Sequence, residues 1–540
     1  MATLFLIGGA ESPPLLESGL FDREVLLRDA ETLLRRLYSD RVYPLPNPWN
    51  YESGVSLVVL PTSGGADDRA GRGSGAEEDA VLLNKLFGKF FPTFNIRAVS
   101  QFAVEEDLAT LLDMVQQERQ LCRDRTSRMD HWMHHDVLPA EITDDSHRAN
   151  STCQNNLYSM LKHFHAAQGT DLRVPRVLRN IRFSELVEEV DAEGPTGPDT
   201  VEQFQEVLNT WEFSALNLTT LQLIKCGFYI LHTLSQRAKV PTADNKLYLL
   251  LFTLEASYHQ INRFHNFKHA IDVMQATWKL CSIILPQDHR VTLLLCLAAI
   301  GHDVGHPGTN NALFKQESGT SRMFQGHSVL ENFHYQIFSS ILRSLWPTVF
   351  SLTRTDTEHK NLIESAILAT DMSIHQKYVD ILTERSTSDV PLTVVETISL
   401  IIKAADISNV TRPLHVSAKW AFLITLEFKD CAALQEYLQS RGNSTNSCHC
   451  AVQDSRPRED YDMEFEIEMH ELINSTPFSL DLLLKKYPAI PAGQIFFINT
   501  FAFEFFDKLA KIFPDLRFLI ENVESNKQFW IKRQESRTSS

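Results

Sequence analysis

The chain has 540 residues, 43% of them hydrophobic and 22% charged, enough apolar side chain for a large packed core and, by length, about two to four domains. A formal net charge of −17 argues against a nucleic-acid surface and leaves no polybasic patch for a membrane. No apolar run reaches the roughly 18 residues of a spanning helix, and the opening Met1 to Ile7 lacks the basic flank and apolar length of a signal peptide.

In chain order, Thr3 to Ile7 and Val55 to Leu60 read as short apolar strands, while Phe21 to Tyr38 carries helical spacing through Val25, Leu26, Leu27, Leu33, Leu34 and Leu37. A helix is expected from Val104 to about Met133, which completes a small α/β N-terminal domain over residues 1–135. Within it, residues 61–80 are rich in Gly, Ala, Asp and Arg and read as a disordered insertion. Residues 136–204 read as a linker, with a Gly- and Pro-containing tract at Asp191 to Pro198. From Trp211 long helical runs follow one another, so the fold class is α+β overall, with an all-α part over 205–535 after the α/β domain. The polar tract Arg441 to Asp460 interrupts that part and reads as a tolerated surface insertion, with a lid as the alternative. Eight cysteines are scattered, and only Cys448 and Cys450 lie close together, without further partners at zinc-finger spacing. Reduced thiols and a cytoplasmic location are expected, with entry into the nucleus left open.

The most informative stretch is Gly301 to Asn311, which places His302, Asp303 and His306 in a glycine-rich corner after the apolar run Leu293 to Ile300. Gly301, Gly305, Pro307 and Gly308 end the helix there and leave the polar groups facing a cavity. Imidazole beside carboxylate suits zinc, and a carboxylate in that position can bridge to a second, harder cation. Upstream, His265 and His269 are four apart and would share a helix face, a weak signal alone. Downstream, Asp406 ends the apolar run beginning at Ile401, where a charge is costly unless paired or metal-bound. One of the two upstream His, the His302-Asp303 pair and Asp406 make a four-ligand set drawn from three helices.

These segments, together with Val329 to Asn332, Ala369 to Met372, Ala405 to Asn409 and Gly493 to Phe497, occur in an order that resembles the class I 3′,5′-cyclic-nucleotide phosphodiesterases. The resemblance runs from about Trp211 to the end of the chain, and with the opening Thr3 to Gly8 it is most similar to fungal high-affinity cyclic-AMP phosphodiesterases. It implies an HD-type helical bundle in which His269, His302, Asp303 and Asp406 bind zinc and Asp303 bridges to magnesium or manganese. His306, Glu331 and Asp371 would hold the second ion's waters, with Thr370 nearby. His265 would be the general acid, steered by Glu427; Gln494 would hydrogen-bond the purine, Phe497 and Ile424 would sandwich it, and Asn409 would sit at its edge. Two departures touch the surroundings of the site: Phe264 stands where most of the family has Tyr, and Phe333 replaces the first His of a Glu-Asn-His-His run.

The chemistry follows from the same groups. Two cations neutralise the phosphoryl oxygens and lower the pKa of a bridging water from about 15.7 towards roughly 7. Such a water would be the nucleophile, and a His with an ordinary pKa of about 6.5 could protonate the departing O3′. Gln494 can read adenine in one orientation and guanine in the flipped one; Asn409, able to accept from the adenine amino group, leans the choice towards cyclic AMP. The expected partner is therefore a small cyclic nucleotide rather than a nucleic acid or a membrane, and a homodimer is left open. A phosphohydrolase of nucleoside polyphosphates would keep the metal set but has no use for Gln494 and Phe497 in one helix turn. A non-catalytic cyclic-nucleotide sensor would be expected to lose a ligand or the acid, and none is lost.

Overall fold

The structure is a computed structural model that describes residues 2–11, 13–42, 54–61, 74–123, 125–133, 157, 159–161, 175–192, 201–324, 327–352, 361–388, 390–442, 463–475 and 477–538. Near the N-terminus, β1 (Ala2–Ile7), β2 (Arg23–Leu27), β3 (Val55–Leu60) and β4 (Ile96–Ser100) form one parallel sheet in the order β2-β1-β3-β4. The inner strands are nearly continuous apolar runs because both faces are covered. Phe5, Ile7, Val58, Leu60 and Ala98 face α1 (Ala30–Val42) and α2 (Ser74–Phe90), in a core that runs on without a break into the helical part. Leu4, Leu6, Leu57, Val59 and Val99 point the other way, onto Met114 and Val115 of α3 (Leu108–Arg123).

Four expectations from the sequence need correcting. Val25, Leu26 and Leu27 belong to β2 and not to a helix; α1 begins only after Asp29, whose carboxylate accepts from Thr32 N at 2.8 Å. A short apolar run fits either period, and in-register pairing with β1, Phe5 opposite Val25, decides for strand. The stretch 104–133 is not one helix: Asp107 ends Gln101–Glu106 and its carboxylate accepts from Thr110 N at 3.2 Å, while α4 (Arg125–Met133) follows α3 separately. Residues 74–80 of the expected insertion are the first turns of α2, with Ala76 and Ala80 buried; 62–73 lie outside the described residues. The expected linker contains helices Arg176–Asn180 and Phe183–Ala192, whose Leu178, Phe183, Leu186, Val187 and Val190 join the core, and Asn245 accepts from Phe183 N at 2.7 Å. The tract 443–460 lies outside the described residues, so the insertion and lid readings both fall there.

The remainder is helical. The elements that place the site are α5 (Asp244–Glu255), α6 (Phe267–Ile284), α7 (His289–Gly301), α8 (Val329–Leu345), α9 (Val394–Asp406), α10 (Leu414–Gly442) and α11 (Ile490–Phe497). From Thr292 on, helix α7 is buried all round, as its lack of a polar face requires, and it packs chiefly against α6 and the helices Thr220–Arg237 and Leu362–Ala369. At Gly301 it meets α8 so closely that a Cβ would stand 2.2 Å from the ring of Phe338. Among the described residues no single helix is long and apolar enough to cross a membrane, and Cys226, Cys281, Cys296 and Cys431 are buried without disulfides.

Candidate active site

The ends of α6, α7 and α9 converge. His302 caps the C-terminus of α7, and its Nδ1 donates to Ala299 O at 2.7 Å, which leaves Nε2 as the lone-pair nitrogen. That Nε2 lies 3.1 Å from Asp303 Oδ2 and 3.3 Å from Asp406 Oδ1. His269, in the first turn of α6, brings its Nε2 to 3.2 Å from Asp406 Oδ1 and 3.7 Å from Asp303 Oδ2. All four predicted ligands are thus together, on three helices. A buried and a half-buried carboxylate, Asp303 and Asp406, around imidazole nitrogens, with His302 Nε2 lacking any hydrogen-bond partner, suit a divalent cation with mixed N and O ligands.

The other side of Asp303 carries a second group. His334 on α8 donates from Nδ1 to Val304 O at 2.8 Å and turns an unpartnered Nε2 towards Asp303 Oδ1, 3.8 Å away. The sequence reading missed His334, although the Glu-Asn-His-His comparison pointed at its neighbour. Phe333 itself is wholly buried and packs against the Gly305 turn. His306 accepts from Gly308 N at 3.0 Å through Nδ1, so its Nε2 carries a proton and can donate to a water. Glu331 accepts from Asn311 through both oxygens, at 3.0 and 3.1 Å; burial and the nearby Asp371 push its carboxyl up to about 7. Asp371 accepts from Ser328 Oγ at 2.6 Å and Ser373 N at 2.8 Å, and the Thr370 hydroxyl donates to Ile367 O. Buried Lys403, also missed, holds this loop by donating to Ala369 O at 3.1 Å and Asp371 O at 3.2 Å.

His265 precedes α6 instead of lying on it, because Asn266 is the N-cap and its side chain accepts from Lys268 N and His269 N. The expected shared helix face therefore does not exist; the two rings are 5.8 Å apart and perpendicular. Glu427 on α10 supplies the orientation instead. Its Oε1 pairs with His265 Nδ1, and its Oε2 accepts from Phe264 N at 2.7 Å and His265 N at 3.1 Å. Burial works against a charged His265, but Glu427, Asp303 and Asp406 outweigh it and raise the imidazole to about 9. Phe264 packs on His269 and Trp420, at 4.5 and 5.3 Å, filling the wall where the family's Tyr would stand.

The base-site candidates come from α10 and from two elements packed against it, the turn Ser408–Thr411 and α11. Ile424 lies one turn before Glu427 on α10, Asn409 follows Asp406 by three residues, and Gln494 and Phe497 share a face of α11. Gln494 is buried, and Asn409 Oδ1 is a buried acceptor without a donor. Directly after Phe497 the helix widens into a π-turn, Ile498–Ala502, a local irregularity that often marks functional sites.

The profile of the 3′,5′-cyclic nucleotide phosphodiesterase family matches residues 264–449, the span that holds every metal candidate. The 3′,5′-cyclic-nucleotide phosphodiesterase 2 of Saccharomyces cerevisiae is 44% identical over 98% of this chain and 99% of its own. The 3′,5′-cyclic-nucleotide phosphodiesterase regA of Dictyostelium discoideum is 30% identical over 43% of this chain and 31% of its own. A crystal structure of yeast caPDE2, 24% identical, superposes with a TM-score of 0.74 over 99% of this chain and 100% of that one, and so shares the fold, sheet domain included. By its near full-length identity to the yeast enzyme, this chain belongs to the class I 3′,5′-cyclic-nucleotide phosphodiesterases.

Proposed function

We propose that the protein hydrolyses 3′,5′-cyclic AMP to 5′-AMP in the cytoplasm, at a two-cation centre with His265 as general acid. The observation that carries the mechanism is the position of Asp303: one carboxylate oxygen faces His302 and His269 while the other faces His334. His269, His302, Asp303 and Asp406 would hold the first cation, zinc by the nature of the donors. Asp303 would share a second, magnesium or manganese, whose waters His306, His334, Glu331, Thr370 and Asp371 surround. Such a pair supplies charge neutralisation for the phosphoryl oxygens and an acidified water at neutral pH.

The chain's own groups do the rest. Glu427 engages Nδ1 of His265, which leaves Nε2–H as the proton that can reach the ribose O3′ as the P–O3′ bond breaks. Two backbone N–H groups and His265 hold Glu427 ionised: burial would raise it, yet its pKa falls to about 2. Adenine is favoured because Asn409 Oδ1 is an acceptor awaiting a donor, which the adenine amino group supplies and the guanine carbonyl does not. Incubating purified protein with each cyclic nucleotide, with and without chelator, and identifying the released monophosphate tests this reading. Greater kcat/KM for cyclic GMP would overturn the adenine assignment, and chelator-resistant turnover would overturn the cation centre.

A further inference from the structure

We propose that Trp132, on a helix that precedes the catalytic part, is a positioning residue for the Asp303 corner, so that the N-terminal region is a working part of the active site. The inference rests on reading that corner as the cation site. Gly305 lies between Asp303 and His306 with φ +76 and fixes how far apart those two side chains stand. Its peptide groups are held from two sides: its N–H donates to Ser257 O at 2.9 Å, and its C=O accepts from Trp132 Nε1 at 3.2 Å. The turn has no slack, since a Cβ on Gly305 would stand 2.9 Å from Phe333 and 3.0 Å from Met160. Met129 and Met133, on the same face of α4 as Trp132, reach the next residues of the corner. A Cβ on Gly308 would meet Met129 Cε at 3.3 Å, and Thr309 Oγ1 lies 3.4 Å from Met133 Sδ.

The second grip on Gly305 also leads back to the N-terminal domain. Arg41 of α1 forms a buried ion pair with Glu255 at 2.6 Å, and Thr93 Oγ1 donates to Ala256 O at 2.9 Å. The next two residues hold the corner: Ser257 through Gly305, and Tyr258 through its hydroxyl, which donates to Ile300 O at 2.9 Å and accepts from Asp303 N at 3.3 Å. Helix α4 reaches towards the acid as well. Arg125 donates to Ile261 O at 2.5 Å and, with Arg263, meets Asp430, one turn beyond Glu427 on α10. Sheet domain, α4 and the 255–258 segment together form a clamp around the turn that separates the two halves of the cation centre.

Full-length Trp132→Phe tests this, because it keeps an aromatic ring next to His259 while removing the N–H together with part of the indole. Losing one hydrogen bond to a buried carbonyl should weaken binding of manganese, measured by electron paramagnetic resonance, by about tenfold. The value of kcat should fall by a similar factor while KM for the cyclic nucleotide stays put, since the base residues lie elsewhere. Thr93→Val, a smaller lesion in the other arm, should shift manganese binding in the same direction by about threefold, and it stands in if the first variant fails to fold. Unchanged manganese affinity in both variants, or a lowered unfolding temperature with kcat and KM disturbed alike, would overturn the proposal and leave the cation site intact. Wild-type protein whose manganese binding is indifferent to Asp303→Ala would overturn both.

Discussion

The Asp303 corner and the Gln494 slot differ in how completely their polar atoms are held before a ligand arrives. In the corner, His302, His306 and His334 each have one ring nitrogen committed to backbone, and Glu331 and Asp371 have both oxygens engaged. What is left over, the Nε2 atoms of His302 and His334, points at Asp303. In the slot, Asn409 Oδ1 has no partner, Phe496 nearby is 65% exposed, and a π-turn follows Phe497. A site that must stabilise a transition state works best pre-organised, whereas base recognition is made equally in ground and transition states and tolerates adjustment.

The strongest way to break this contrast is to remove the shared carboxylate. Asp303→Ala should lower turnover by about 10³-fold or more and reduce bound metal, because both halves of the centre lose a ligand. Near-normal activity in a folded variant would end the two-cation reading. His265→Ala should lower kcat on cyclic AMP by about 10²- to 10⁴-fold with metal content unchanged. An aryl phosphodiester, whose leaving group departs without a proton, should suffer far less; equal losses on both substrates would give His265 a different role. In the slot, Gln494→Ala should raise KM by about tenfold while kcat moves little, since the interaction is uniform. A matching drop in kcat would show that the slot is as tightly coupled to chemistry as the corner.

The smallest expected effect lies outside both regions and serves as a control. Burial raises Glu118 on α3 from 4.5 to about 7, with Arg97 opposing. The folded protein therefore holds a proton there that the unfolded chain gives up, so the stabilisation is complete below about pH 4.5 and lost as pH rises through 7. Glu118→Gln should flatten that dependence and raise stability at pH 8 by about 2 kcal/mol, seen in urea melts, with kcat unchanged.

Much of the corner was legible because its residues are close in sequence and sit where apolar helices stop. His302 and Asp303 follow the run Leu293 to Ile300, and Asp406 ends a similar run; a charge at such a place has few explanations. His265 is the instructive exception. Its spacing to His269 suggested one helix face, but the Asn266 cap puts it outside the helix, and Glu427, 162 residues away, aims it. The sheet domain was half legible: the apolar β1 and β3 stood out, whereas β2 and the helices at 176–192 were misread, because five to ten residues of mixed pattern are compatible with either period or with a loop.

By itself, then, the sequence determined which side chains are candidates for the chemistry and that a helical part follows an α/β one, since residue type, apolar periodicity and helix-stop signals are local properties. The tertiary structure alone decided which nitrogen of each His is free, that His334 and Lys403 belong with the site, and that Trp132, Arg41 and Thr93 brace it from the other domain. Those facts depend on hydrogen bonds between residues far apart in the chain, whose partners are chosen only when both are buried together and neither can turn to water.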